Sequence, residues 1–571
     1  MLFKPAIQAR GIRVIAAVAA MGALSLGMPV ISAAAGPPQT LGDLVRAGKR
    51  DSVLAAITSP DVNVNEKAPD GSTALMWATF NADRELVRAL LKDGAKADVT
   101  SNYGATALSE AIKLQDMELV RLLLDAGANV NSPNLDNQTA LMLAIALGSQ
   151  PIAKLLIERG ADVNAVENFR DQNALMYAAG GNQPDIVDLL LAHGAKNVDL
   201  RGKYDDWPRQ QTSEPRAQYQ SRQTGGLTAL LYATRSGCYR CAVALVKAGA
   251  DVNRPNPDGV TPLINALDNK RFDIAMFLLD KGANPNTWDM SGRTPVYMAV
   301  DMNSFRGGGG FGGGRPAGFP APEGEIENQP GPAKVTAMEV VHRLIDMGVD
   351  VNHQLTRKRP YGTGRGRFAD YDMRGGAGPL FIATLSNDHE AMAALLAHGA
   401  EVDLNNVMQM TPLMIAAGMR ATGRAGGGGG PPGPGGDPQE RAIKSIDLLL
   451  DAGANINAQV LDSRTHTAKI LAYVQGRDQE GRTALFAAAE SGTDKVVRHL
   501  LDRGADPAIR DAGGKTALDI ARAPAPAAPG GAPAGRGGGN AAASRAAIIA
   551  MLEPLTPKAA TAPASAPAPG P

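Results

Sequence analysis

The stretch TALMLAIALGSQPIAKLLIERGADVN, residues 139–164, decides the fold of this 571-residue chain. It opens with Thr-Ala-Leu and closes with Gly-Ala-Asp-Val-Asn, which follows a Leu-Leu pair. A Thr hydroxyl can cap the first turn of a helix, and a Gly can take the left-handed conformation that ends one. The stretch therefore predicts two short helices with a turn between them, the second ending at Gly160.

Both parts of this stretch recur along the chain at a fixed period. Copies starting at 73, 106 and 139 lie 33 residues apart, and Asp-Gly pairs such as Asp70-Gly71 turn the chain before the next copy. The Leu and Ala of the first part are predicted to face the neighbouring copy, and the Leu-Leu pair of the second part to be buried. Eleven copies of the first part begin at Thr73, Thr106, Thr139, Asn173, Thr228, Thr261, Thr294, Gly378, Thr411, Thr483 and Thr516.

This unit resembles the ankyrin repeat, in which T-P-L-H-x-A is followed by L-L-x-x-G-A-D-V-N. The resemblance runs from about residue 39 to 553 and includes a degenerate capping copy from Leu41, which brings the count to about twelve. It implies an all-α repeat solenoid, in which each copy is a helix, a turn, a second helix and a hairpin finger.

The chain departs from the family pattern at the position where the first part has His. Other side chains, mostly apolar, stand there in every copy, so we expect apolar packing between copies where the family has hydrogen bonds. The substituting residues are Met76, Ser109, Met142, Met176, Leu231, Ile264, Tyr297, Phe381, Met414, Phe486 and Asp519.

Six insertions interrupt the period at two kinds of position. Gly- and Pro-rich insertions fall between the two helices of a repeat and are expected to be disordered, because they cannot bury a core: 306–334, 420–438 and 523–540. Polar insertions lengthen the fingers and are better placed for recognition: 202–224, 355–376 and 459–477. The predicted repeats occupy 67–201, 225–354, 377–458 and 478–553, after a capping repeat at 36–66 and before a disordered tail at 554–571.

Residues 1–35 have the features of a secretory signal peptide. Lys4, Arg10 and Arg13 precede an apolar run, and an Ala-x-Ala site ends at Ala35. The sequence therefore predicts cleavage, a mature chain that begins near Gly36, and a periplasmic or secreted protein with no membrane span. An uncleaved membrane anchor is the alternative, because the stretch from Val14 to Ala35 is just long enough to span a bilayer.

The charge balance argues against a nucleic-acid partner. Without the three basic residues of the leader, 54 Lys and Arg stand against 57 Asp and Glu, and they form no long basic block. Nucleic-acid affinity comes mainly from clustered Lys and Arg. We expect a monomer whose partner is a protein or peptide.

The two cysteines of the chain, Cys238 and Cys241, have a C-x-x-C spacing. Alignment with the other copies places Cys238 at the exposed turn before a second helix, and Cys241 in the core. Structural thiols or a local disulfide, incidental metal affinity or redox sensing, and a redox function all remain open. Haem attachment would need a His where Ala242 stands, and no thioredoxin-like strand pattern surrounds the pair.

No catalytic motif is present in the sequence. The seven histidines form no H-x-x-x-H or H-E-x-x-H, no Ser lies in G-x-S-x-G, and the Gly-rich runs lack the Gly-Lys-Ser/Thr of a phosphate-binding loop. The pairs Asp205-Asp206 and Asp370-Asp372 lie in insertions and are interpreted as solvated charges, with a bound cation as the alternative. We expect no catalytic activity, cofactor or metal site.

The resemblance implies a binding scaffold that captures its partner on a concave face and on the fingers. The alternatives are a redox or enzyme-accessory protein that uses Cys238 and Cys241, and a purely structural role in the envelope. Aromatic, Met and Arg side chains supply most interface anchors, although the same side chains could pack finger against finger. The candidate partner-binding residues are Tyr103, Phe169, Arg170, Met290, Arg293, Met408, Met410 and Arg482.

Overall fold

The fold is described from a computed structural model. It describes residues 40–204, 225–304, 335–356, 375–419, 437–461, 479–523 and 538–557. The leader at 1–35, most of each insertion and the end of the tail lie outside the described residues, so the predictions of a signal peptide and of disorder stay predictions.

The described residues form twelve pairs of short α-helices and no β-strand beyond isolated bridges, which confirms the all-α repeat fold. In chain order the pairs are α1 Leu41–Arg46 and α2 Arg50–Ile57; α3 Ala74–Phe80 and α4 Arg84–Lys92; α5 Ala107–Lys113 and α6 Met117–Asp125; α7 Ala140–Ala146 and α8 Gln150–Glu158; α9 Ala174–Gly180 and α10 Pro184–Ala192; α11 Ala229–Ser236 and α12 Tyr239–Lys247; α13 Pro262–Asp268 and α14 Phe272–Asp280; α15 Pro295–Ser304 and α16 Ala337–Asp346; α17 Pro379–Leu385 and α18 His389–Ala397; α19 Pro412–Ala416 and α20 Pro438–Asp451; α21 Ala484–Ser491 and α22 Asp494–Asp502; α23 Ala517–Arg522 and α24 Gly538–Leu552.

The chain divides into two compact units. The smaller unit comprises Met1–Leu114 and Glu118–Ala128, and the larger comprises Gln115–Met117 and Asn129–Pro571. Within each unit the first helix of a repeat packs against the first helix of the next, and second helices pack against second helices. This is the nearest-neighbour packing of a repeat protein.

The residue that opens a copy caps the first helix in nine of the eleven copies, as predicted. The hydroxyl of Thr106 accepts a hydrogen bond from the backbone N–H of Ser109 at 3.0 Å, and the side chain of Asn173 does the same for Met176 at 3.0 Å. Gly378 has no side chain for this bond, and Thr483 does not make it. Apart from these two, the copies satisfy one helical N–H that would otherwise lack a partner.

The position that replaces the family's His is apolar and buried in most copies. Met142, Leu231, Tyr297 and Phe486 are among nine such residues that lie in the core. The two polar ones act differently. Ser109 and Asp519 each bond back to the N–H of the capping Thr, which completes a capping box.

The prediction that both leucines of the Leu-Leu pair are buried holds for Leu278 and Leu279 but not in every repeat. Leu123 is fully buried, whereas Leu122 is only half-buried, and Leu449 and Leu448 differ in the same way. Successive residues of a helix point about 100° apart, so two neighbours are both buried only where the packed face of the helix is wide enough to include them.

A side chain that the sequence analysis did not single out ties several of the repeats to the next one. In the larger unit, Nδ2 of Asn164 donates to the carbonyl of Gly194 at 3.0 Å, and its Oδ1 accepts from the N–H of Lys196 at 2.9 Å. Asn65 makes the same pair of bonds in the smaller unit, with Gly94 and Lys96. The final Asn of the second part therefore satisfies backbone groups that follow the second helix of the neighbouring repeat.

Candidate protein-interaction surface

In the larger unit the fingers join edge to edge through backbone hydrogen bonds. The N–H of Asn168 donates to the carbonyl of Asp136 at 2.7 Å, and the N–H of Lys203 donates to the carbonyl of Arg170 at 2.7 Å. Each finger is also closed at its base, as by the bridge between Val166 and Asn173. These bonds fix the position of one finger relative to the next.

A buried acidic side chain holds the finger that carries Phe169. Glu167 accepts hydrogen bonds from the N–H groups of Phe169 at 2.6 Å, Arg170 at 2.9 Å and Gln172 at 3.1 Å. This finger is one residue longer than the preceding one, because the copies at 139 and 173 start 34 residues apart. The bonds to Glu167 give the longer tip a defined backbone, so Phe169 is presented in a fixed position.

Large apolar side chains project from the fingers of the larger unit. The exposed fractions are 71% for Leu135, 65% for Phe169 and 56% for Tyr204. Leu135 and Tyr204 were not among the predicted residues. For Leu135 the signal is visible in the sequence, where one large apolar residue stands among the polar turn residues PNLDN.

The first helices beside these fingers carry two half-buried tyrosines, Tyr177 on α9 and Tyr232 on α11. Nε2 of Gln138 lies 3.5 Å from the hydroxyl of Tyr177, and Gln172 donates to the hydroxyl of Tyr232. Burial raises the pKa of Tyr177, and the negative charge of Glu167 raises it further. The phenol of Tyr177 is therefore a neutral hydrogen-bonding group at neutral pH.

The predicted partner-binding residues lie in three environments. Tyr103 in the smaller unit is 73% exposed, and Phe169 and Arg170 are exposed in the larger one. Met290 and Met408 are half-buried. The side chain of Arg482 is 12% exposed and pairs with Glu490 at 3.1 Å and Asp511 at 3.5 Å. Of the predicted residues, Tyr103, Phe169 and Arg170 are therefore the most accessible to a partner.

Two of the predicted contact residues are buried, which corrects the prediction for them. Nε of Arg293 donates to Oδ2 of Asp289 at 2.6 Å, and its Nη1 lies 3.3 Å from Oδ1 of Asp268. Burial by itself lowers the pKa of Arg293, but the two carboxylates outweigh it and the net shift is upward. Met410 is completely buried. Arg293 and Met410 each directly precede a capping Thr. Side chains at these two positions are buried where the finger packs on the helices.

Cys238 and Cys241 are joined in a disulfide, with Cα atoms 5.2 Å apart. The prediction of an exposed Cys238 is wrong, because both residues are buried. Cys238 is the N-cap of α12, and its Sγ accepts a hydrogen bond from the N–H of Cys241 at 3.2 Å. Since thiol–disulfide exchange requires a thiolate to reach a sulfur, burial argues against a redox centre.

One Ser–His contact lies where α18 packs on α20. Nε2 of His389 is 2.9 Å from the carbonyl oxygen of Arg441 and 3.1 Å from the hydroxyl of Ser445. A carbonyl only accepts, so Nε2 carries a proton and cannot remove one from Ser445. The Ser445 hydroxyl donates to Asn387 at 2.9 Å. The arrangement joins neighbouring repeats and is unsuited to activating a nucleophile.

Within the described ranges, no three His, Cys, Asp or Glu side chains are grouped so that they could hold a metal ion. In the same ranges, none of the helices combines the length and apolar character needed to cross a bilayer.

A family model of ankyrin repeats in three copies matches residues 41–134, 126–202, 166–256, 210–289 and 230–306, and a single ankyrin repeat matches 480–512. Together these matches cover more than half of the chain. No curated protein matches it. The helix pairs α17–α18 and α19–α20 lie outside these matches, yet in each pair the two helices pack against each other, and first helices pack on the first helices of neighbouring repeats.

Proposed function

The chain belongs to the ankyrin repeat family, and from this premise we propose that it is an exported scaffold that binds a protein or peptide through its fingers and first helices, without catalysis. Ankyrin repeats typically mediate protein–protein interactions. The partner, the export and the absence of catalysis are the parts proposed here.

The observation that carries the proposal is the row of large apolar side chains on the fingers of the larger unit. More than half of the surface of Leu135, Phe169 and Tyr204 is exposed to solvent. Exposed apolar groups that cluster on one surface mark an interaction site, whereas single scattered ones need no explanation. Apolar anchors on a backbone held by hydrogen bonds also lose little entropy on binding.

The first finger insertion starts at Tyr204, the last residue of this row. The chain leaves the finger after Tyr204 and returns at Gly225, and a bridge joins these two residues. At the third insertion, Val460 and Arg482 are joined in the same way, N–H to carbonyl at 3.0 Å. Closed bases place both ends of each insertion on the finger side of the repeats, which supports a part for the insertions in recognition.

The disulfide supports export. Disulfides persist in the periplasm and outside the cell, and they are rare in a reducing cytosol. Fractionation followed by N-terminal sequencing tests the point, and we expect a mature chain that starts near Gly36. An intact Met1 terminus in the inner membrane would replace export by anchoring.

Site-specific photo-crosslinking tests the binding proposal. A benzophenone amino acid in place of Phe169 should give a discrete adduct with a protein in cells, and the same group in place of the exposed Lys247, on second helix α12, should not. Adducts of the same kind from both positions, or from neither, would contradict binding at the fingers.

A further inference from the structure

The ring of Tyr232, beside the Phe169 finger, has room because α9 ends in glycine. A Cβ on Gly180 would lie 3.2 Å from Cδ1 of Tyr232, closer than most Cβ contacts in proteins. The equivalent residue is Arg235 in the following repeat and Ala146 in the preceding one. Gly180 has ordinary helical dihedrals, and its lack of a side chain therefore serves the ring of Tyr232.

Two guanidinium groups lie over aromatic rings at this surface. The Cζ atom of Arg235 is 4.8 Å from the ring centroid of Tyr232, and that of Arg170 is 5.5 Å from the ring centroid of Phe169. Neither arginine forms an ion pair with a carboxylate in the part of the chain that the structure describes. Glu167 is close to Arg170, but its oxygens accept hydrogen bonds from the finger's backbone.

Arginines elsewhere beside first helices of the larger unit differ in this respect. Arg293 pairs with Asp268 and Asp289, and Arg482 pairs with Glu490 and Asp511. A guanidinium held against a ring keeps its outer N–H groups for an external acceptor and suits a carboxylate.

Tyr177, Tyr232, Phe169, Arg170 and Arg235 together form what we name the tyrosine–arginine patch. We infer that this patch recognises a segment of the partner protein in which carboxylate side chains stand next to large apolar ones. The carboxylates meet the two arginines, and the apolar side chains pack between the Phe169 finger and the two phenol rings. This inference rests on the proposed function and adds the chemistry of the recognised segment.

The composition of the patch is that of an energetic centre of an interface. Tyr and Arg are the side chains most enriched among residues that contribute strongly to binding, together with Trp. The neighbouring Leu135, which is also exposed, extends the apolar surface along the finger row. A segment with basic side chains would meet two cations, and one without apolar side chains would leave Phe169 in water.

Selection from a library of random peptides displayed on phage, against the full mature chain, tests the inference. We expect enriched peptides to combine Asp or Glu with Phe, Leu or Trp. For a synthetic copy of the strongest such peptide, the double variant Arg170→Gln/Arg235→Gln should bind about tenfold or more weakly, the scale of one or two lost charge-assisted hydrogen bonds. Fluorescence anisotropy measures the change.

Arg240→Gln is the matched control. Arg240 is an exposed arginine on second helix α12 that pairs with Asp185 at 2.9 Å and Asp188 at 3.4 Å. The Arg240→Gln variant should bind the peptide with the same affinity as the parent chain. Gly180→Ala supplies a variant with no change of charge. Its methyl group displaces Tyr232 and should therefore also weaken peptide binding. Circular dichroism of each variant should match the parent chain.

Enrichment of basic or uncharged peptides, no enrichment, equal binding to the double variant, or binding of oligo-dT at the patch would each overturn the inference. Competition separates it from the proposed function. If a protein is crosslinked at position 169 but the acidic peptide does not compete for it, the scaffold proposal stands and the inference fails. If no protein is crosslinked, the scaffold proposal fails.

Discussion

At the scale of single residues, identical side-chain types serve unrelated purposes according to position. Arg293 is a structural ion-pair partner of two aspartates, whereas Arg170 lies exposed over a ring at the tip of a finger. A buried guanidinium without its carboxylates would be costly, and an exposed one without a carboxylate is not. Residue type alone therefore predicts both as partner contacts. Their surroundings show that Arg293 is structural and that Arg170 is exposed.

Cys238 gives a prediction at this scale. Cys238→Ser should cost little free energy of unfolding, because Ser is a good N-cap and the disulfide closes too short a loop to restrict the unfolded chain much. Cys238→Ala should cost about 1 kcal/mol more than Cys238→Ser, since it removes the acceptor for the N–H of Cys241. Urea denaturation under reducing and oxidising conditions measures both.

Partner binding should survive both cysteine changes, since the pair lies at the turn between helices, away from the fingers. Loss of function in Cys238→Ser with an unchanged melting temperature would instead support a redox role.

At the scale of elements, each helix is short and depends on its ends. A helix of seven residues has few internal hydrogen bonds, so the caps and the packing of neighbours determine whether it forms. The Thr hydroxyl at the start and the left-handed Gly after the second helix recur in nearly every repeat. Between them, the Asn bonds join one repeat to the next.

The capping box of α23 predicts a pH dependence. Hydrogen bonding to the backbone N–H of Thr516 lowers the pKa of Asp519 in the folded chain. A lowered folded pKa means that the bond contributes stability above the unfolded pKa of about 3.9, and that this stability is lost as pH falls through the folded value. Thermal melts below about pH 4 should therefore show a smaller further loss for Asp519→Asn than for the parent chain.

Exposed Asp502, for which no capping bond is found in the described residues, is the control: Asp502→Asn should follow the parent chain. A parallel loss in Asp519→Asn and the parent would show that the cap does not titrate.

Two glycines in the left-handed backbone conformation are predicted to lose different amounts of unfolding free energy when they are replaced by Ala. Gly453, after α20, has φ of 95° and open space around it, so Gly453→Ala should cost only the left-handed strain of about 1–2 kcal/mol. Gly376 has φ of 68°, and a Cβ there would lie 2.6 Å from the N atom of Val407 on the next finger. Gly376→Ala should therefore cost more, because the finger must also move.

Chemical denaturation of the two variants gives the comparison. Equal losses of unfolding free energy in Gly453→Ala and Gly376→Ala would show that the next finger can move away at no cost in free energy.

At the scale of the whole molecule, stability comes from contacts between neighbouring repeats within each unit. Such contacts are local in sequence, so an insertion affects only the repeat that carries it. In the larger unit, α15 and α16 pack against each other although a long insertion lies between them. The Gly- and Pro-rich segments start at turns between helices, and the polar ones start at closed fingers.

Deleting residues 306–332 should leave helical content and melting temperature nearly unchanged, since each doubling of loop length costs only about 0.6 kcal/mol. Circular dichroism and thermal melts of the deletion variant measure both. A variant with the finger insertion 205–224 shortened provides a comparison, because we expect it to change partner binding rather than stability. A large loss of helicity in the first variant would show that the segment packs on the repeats.

The sequence by itself determined the fold class, the repeat count, the capped helix starts and the places of the six insertions. These follow from local rules, such as a hydroxyl that satisfies a nearby N–H, and these rules repeat in every copy. Only the tertiary structure decided the surface. The burial of Arg293, Met410 and Cys238, the exposure of Leu135, and the rings beneath Arg170 and Arg235 depend on which atoms of neighbouring fingers and helices come into contact. The linear pattern fixes no such distances between side chains of different repeats.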